Sequence, residues 1–187
     1  MRKIILSSIL LLSTTLPSVA EESYFLWPNE QGGYRPNYAV AAIFGSTQFD
    51  KNTDYSGDMA GIELSMNSPW IEALEHQIID QFSLKQYAHH GDTLVTFAAN
   101  PHYMFDFQDQ FQLGAGPSLQ LSYLDSDTSS KDLLLRMGIG GSLKKMFTDK
   151  IFFDLEMDYT IAAAESDFNS FEFLWKVGYV LGDDLLD

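Results

Sequence analysis

The chain has 187 residues with 26 acidic against 11 basic side chains, a formal net charge of −15, and no cysteine. That balance argues against a nucleic-acid partner, which needs clustered Lys and Arg to displace counter-ions. The missing cysteines exclude a disulfide framework and thiolate chemistry. Fourteen per cent aromatic residues, with nine Tyr and fourteen Phe, point to β structure rather than disorder.

The chain opens on Met1-Arg2-Lys3, an apolar run from Ile4 to Leu12, and small residues at Ser18 and Ala20. This is the pattern of a secretory signal over 1–20, and the run is shorter than the ~20 residues that a spanning helix needs. Cleavage after Ala20 would remove two bases and no acid. No later stretch has 18 uncharged apolar residues, so no other segment reads as a membrane helix. Residues 21–37, with Trp27-Pro28, Gly32-Gly33 and Arg35-Pro36, show no period and read as an extended lead-in segment.

Eight strand-like stretches follow, over 38–49, 57–67, 74–88, 92–105, 111–124, 132–145, 150–163 and 171–182. In the fifth, Phe111, Leu113, Ala115, Leu119, Leu121 and Tyr123 alternate with Gln112, Gly114, Gly116, Ser118, Gln120 and Ser122. In the sixth, Leu133, Leu135, Met137, Ile139 and Leu143 alternate with Asp132, Arg136, Gly138, Gly140, Ser142 and Lys144. Leu134 falls on the polar side. The seventh sets Phe153, Leu155, Met157, Tyr159 and Ile161 against Asp154, Glu156, Asp158 and Thr160, and the eighth sets Phe171, Phe173, Trp175, Val177 and Tyr179 against Glu172, Lys176 and Gly178. A period of two with a tall apolar face and an acid-rich face suits a barrel strand with lipid outside and a polar lumen inside. Connections at 50–56, 89–91, 125–131 and 164–170 are polar and mostly acidic; those at 67–70, 106–110 and 146–149 are mostly short, so the two ends of the barrel differ in character.

Two places resist. Asp80 falls on the apolar face of the third strand beside Ile78, Phe82 and Leu84, and Pro101 and Pro117 oppose each other in the fourth and fifth, where a bulge or kink flanked by Gly114 and Gly116 is expected. The first strand is small and apolar on both faces and gives no register. Pairing the sixth and seventh strands about Thr148 sets Gly140 opposite Glu156, Gly138 opposite Asp158 and Ser142 opposite Asp154. Arg136 and Lys176 then neighbour Asp158, so Arg136, Asp154, Glu156, Asp158 and Lys176 are expected to form one lumen charge cluster. With Glu63, Lys144 and Glu172 also inward, eight strands leave a filled lumen.

The signal, the eight alternating strands, the turn pattern and the charged interior, over about 38–182, resemble the small outer-membrane barrels of Gram-negative bacteria, the OmpA transmembrane domain and OmpX-like proteins among them. The resemblance is one of architecture. That family ends its last strand with a polar residue, a glycine two on, and aromatics; Lys176-Val177-Gly178-Tyr179-Val180-Leu181 follows the first part, while Leu181 stands where an aromatic is usual and 183–187 form a tail. It implies an all-β, eight-stranded antiparallel up-and-down transmembrane β-barrel in the outer membrane, a monomer with lipid around it and an unidentified surface partner.

Outer-membrane lipid A deacylases use a His-x-Ser pair, and none of His76, His89, His90 and His102 has serine two positions on. Rim proteases of this class need more strands. Asp50-Lys51-Asn52-Thr53-Asp54 copies the start of a calcium loop, but Tyr55 and Gly61 stand where such a loop needs Gly and Glu. With no zinc-spaced cluster and no phosphate loop, no catalytic residue, cofactor or metal is expected. The leading expectation is a non-catalytic barrel with a structural or surface-interaction, adhesion-like role. A narrow channel or autotransporter-like translocator, and a soluble periplasmic ligand-binding barrel with its Phe, Leu and Met faces inward, are the alternatives.

Overall fold

The computed structural model describes residues 37–51, 56–69, 77–89, 92–108, 110–125, 132–163 and 168–182; the signal segment 1–20, all but the last residue of the lead-in, and the tail 183–187 lie outside them. The described chain forms eight strands: β1 Tyr38–Phe49, β2 Gly57–Asn67, β3 Ile78–His89, β4 Asp92–Gln108, β5 Phe111–Asp125, β6 Asp132–Met146, β7 Ile151–Ala162 and β8 Ser170–Gly182. Each pairs antiparallel with its sequence neighbour, and β1 pairs with β8, closing an up-and-down barrel with no free edge. The strand starting points read from alternation agree closely except in β3, which begins at Ile78, not 74, with 74–76 outside the described residues. β4 runs to Gln108 and leaves a two-residue turn before Phe111, in which Gln110 has φ +72°. β1 begins and β8 ends at one end of the barrel, where β2 ends and β3 begins, β4 ends and β5 begins, and β6 ends and β7 begins; it is called here the terminal end and the opposite one the loop end.

Because side chains alternate across a strand, closure sends one face of every strand outward. Ile139, Leu133 and Ile62 are 71%, 68% and 65% exposed, while Glu156, Asp158 and Arg136 are almost completely buried. An arrangement with the Phe, Leu and Met faces inward is therefore not what this chain adopts. β1, which gave no register from sequence, turns Ala39, Ala41, Ile43, Thr47 and Phe49 inward; its small residues fit where β8 and β2 close the wall.

The proline pair breaks the β4–β5 ladder without shifting it. Pairing is recorded from Thr93 to Ala99 and again from Tyr103, in the same register, but not over Asn100, Pro101 and His102. A Cβ on Gly116 would lie 1.8 Å from the Pro101 carbonyl oxygen, so only glycine fits there. The bulge itself lies nearer the turn, between Asp106 and Gln108. Asp80 sits close to the terminal end of β3, in an outer recess of about 510 Å³ lined by Ile78, Phe82, Ala99, Pro101 and Pro117 among others. It is only 6% exposed, so its carboxylate is covered by neighbouring chain rather than laid open on the outer surface.

Candidate functional site

The lumen is layered. At the loop end an apolar plug fills it: Ile43, Phe49, Met59, Tyr87, Leu94, Leu124 and Leu174 form one buried cluster, with Phe168 packed against it. The rings of Phe49 and Phe168 meet edge to face at 6.0 Å. At the terminal end Ala39, Ala41 and Phe152 form a smaller cluster with Met146 and Val180. Gly178 makes room for this second layer, since a Cβ there would lie 2.1 Å from Phe152 Cζ.

Between the two layers lie the charges. Just below the plug, Glu172 Oε2 accepts from Lys85 Nζ and, at 3.3 Å, from Gln120 Nε2, while Arg136 Nη2 stands 3.6 Å from its Oε1. Arg136 also donates to Ser170 Oγ at 2.5 Å and Ser122 Oγ at 2.8 Å, and its Cζ lies 5.5 Å from the Phe49 ring centroid. Deeper, Lys176 Nζ donates to Glu63 Oε2 and Glu156 Oε2 at 2.5 Å each, and to Gln81 Oε1 at 3.4 Å. Asn100 Nδ2 donates to Glu156 Oε1 at 3.1 Å and Asp158 Oδ2 at 3.2 Å, and its Oδ1 accepts from Ser118 Oγ at 2.9 Å. Charges taken out of water are costly unless paired and hydrogen-bonded, and this network supplies both to Glu172, Arg136, Lys176, Glu63 and Glu156, while Asp158 has hydrogen bonding alone.

All five residues expected in one cluster point inward and are buried, but they do not meet as expected. β6 and β7 pair two residues out from the sequence-based register: Gly140 faces Asp158, Ser142 faces Glu156, and Lys144 faces Asp154. The cause is the turn. Thr148 Oγ1 accepts from Lys150 N and Ile151 N, and the amides of Phe147 and Thr148 donate to the Ile151 carbonyl, which centres the hairpin on Asp149. Among the described residues Arg136 pairs with Glu172 and Lys176 with Glu63 and Glu156, whereas Asp158 is held by the Asn100 amide and ion-pairs with neither base. Asp154 stands between its register partners Lys144 and Lys176. The ion pairs therefore fall into two groups at different depths, one around Glu172 and a deeper one around Lys176, with Asp158 tied to Glu156 through Asn100.

Sequence reading passed over Lys85, Asn100 and His102 as lumen residues. Their signal was the parity of Gln81, Ser83, Lys85 and of Thr96, Ala98, Asn100, His102, obscured by Asp80 and Pro101. His102 is fully buried; its Nδ1 lies 3.2 Å from Ser142 Oγ. A Cβ on Gly140 would be 2.9 Å from His102 Nε2 and 2.1 Å from Asp158 Oδ1, so both groups crowd the space that glycine leaves. Ser, His and Asp are the residue types of a nucleophilic relay. Here all three are buried, between the two apolar layers.

No protein-family model matches the chain, and no curated protein matches it. Solved structures do. Neisserial surface protein A (NspA) matches with a TM-score of 0.55 and 15% identity, over 77% of this chain and 96% of its own. Ail, the attachment invasion locus protein of Yersinia pestis, crystallised with the heparin analogue sucrose octasulfate, matches with a TM-score of 0.51 and 11% identity, over 79% of this chain and 99% of its own. At such identities the likeness is one of fold: this chain is a closed eight-stranded antiparallel barrel built like the small outer-membrane barrels.

Proposed function

We propose that the chain is a monomeric, non-catalytic outer-membrane barrel whose lumen is sealed and whose loops present a surface for interaction, in an adhesion-like role. The observation that carries this reading is the inversion of the barrel: apolar side chains outside, ion pairs inside, with apolar layers above and below them. An apolar band of this extent on a protein surface needs an apolar solvent. Every strand has at least 11 residues, and a tilted strand needs about 9–11 to cross a bilayer. In this reading the terminal end is periplasmic and the loop end faces outward.

The surface role is supported by the names of the two similar structures, a surface protein and an attachment protein. The polyanion seen with Ail does not transfer readily. The sequence of this chain's loop-end connections contains Asp50, Asp54, Asp125, Asp127, Glu165 and Asp167 against Lys51 and Lys131, a surface that suits cationic partners or divalent counter-ions. The plug argues against a channel or translocator.

Membrane fractionation with heat-dependent gel mobility tests the assignment. The protein is expected with outer membranes, and to migrate faster unheated than boiled, because a closed barrel keeps its strands paired in mild detergent. Recovery in the soluble periplasmic fraction would overturn it.

A further inference from the structure

The bases of this acidic chain are not spread evenly. Lys85, Arg136 and Lys176 are buried in the lumen, and Lys144 leans inward, its Nζ 4.1 Å from the Phe152 ring centroid. Among the described residues the bases left outside are Lys51 at the loop end and Lys145 and Lys150 at the terminal end. The latter two belong to the same hairpin, Lys145 near the end of β6 and Lys150 in the connection 147–150. Lys145 lies between Phe111 and Phe153 in the ladder; its Nζ is 4.9 Å from the Phe111 ring centroid and 5.3 Å from that of Phe147, itself well exposed. Lys150 Nζ lies 5.9 Å from the outward Tyr179 ring.

We propose that Lys145 and Lys150, framed by Phe111, Phe147 and Tyr179, bind the phosphodiester of an anionic phospholipid in the periplasmic leaflet. Aromatic rings at a barrel's rim settle at headgroup depth, and a lysine stem can run along the apolar wall with its ammonium raised to that level. Neither lysine ion-pairs with a carboxylate among the described residues. Asp149 in the same turn leaves the corner with one net positive charge, matching a single phosphodiester. Among the described residues the outward side of β1–β4 at the same end, where Asp80 lies, carries no base, so the site is placed on β5–β8.

This site rests on the outer-membrane reading. The test is native mass spectrometry of the refolded barrel in micelles with equal amounts of phosphatidylglycerol and phosphatidylcholine, with heat-dependent gel mobility read on the same samples. Wild type is expected to retain phosphatidylglycerol preferentially. Lys145→Gln and Lys150→Gln should each lower that preference about fivefold, the effect of one lysine near a charged membrane surface. Lys51→Gln should leave it unchanged, and soluble glycerol phosphate should not displace the lipid. Equal retention of the two lipids, indifference to the lysine changes, or displacement by glycerol phosphate would overturn the site while an intact mobility shift left the barrel standing. Samples with neither the shift nor lipid of either kind would overturn both.

Discussion

Lys176 decides more of the interior than any other side chain. It holds Glu63 and Glu156 at 2.5 Å each, so Lys176→Met would leave two carboxylates buried and unpaired. A loss of about 3–5 kcal/mol is expected, the scale for breaking a buried pair, read from urea unfolding of the refolded barrel. Asp158→Asn should cost no more than about 1.5 kcal/mol, the scale of one hydrogen bond, because the new amide oxygen can still accept from Asn100. If the two variants unfold alike, the assignment of ion pairs is wrong. Adjacent glycines give an independent reading of the two faces. Gly140 points at Asp158 and His102, whereas a Cβ on Gly141 would meet only the Gly114 carbonyl oxygen, at 3.5 Å. Gly140→Ala should therefore destabilise by about 1–3 kcal/mol and Gly141→Ala by less than about 0.5 kcal/mol. Equal costs would mean that the faces are misassigned.

Strand existence was legible wherever alternation was clean, as in β5 and β7, because a two-residue period has only one solution on a half-buried sheet. Register was not. Two centres for the β6–β7 hairpin, Thr148 and Asp149, leave every side chain on the same face and differ only in the partners they give, so hydrophobic pattern cannot choose between them; the Thr148 hydroxyl does. The identities of the inward residues were mostly readable for the same reason, and their pairings were not. The plug was hidden too: Ile43 lies on a strand whose two faces are both apolar and gave no register, and Leu174 lies on the face of β8 that Glu172 and Lys176 marked as polar. In a chain without native cysteine the register is directly testable. Gly141→Cys with Met157→Cys, neighbours across the ladder, should oxidise to a disulfide within the usual Cα spacing, whereas Gly141→Cys with Leu155→Cys should not. Cross-linking in the second pair alone would restore the Thr148-centred hairpin.

At the scale of the whole molecule, the outward apolar face and the inward ion pairs are two consequences of one closure. A barrel of eight strands has just enough interior to be filled by its own side chains, and this one fills its middle with Lys176, Glu156, Glu172, Arg136 and Lys85 and its loop end with Phe49, Tyr87 and Leu174. Water and ions would have to displace both the pairs and the plug to pass. The most direct measurement is therefore current through a planar bilayer containing the purified, refolded barrel. The account predicts no sustained conductance, with at most brief cation-preferring openings when the buried pairs exchange partners. Steady, large, anion-selective steps would contradict both the sealed lumen and the placement of these residues inside it.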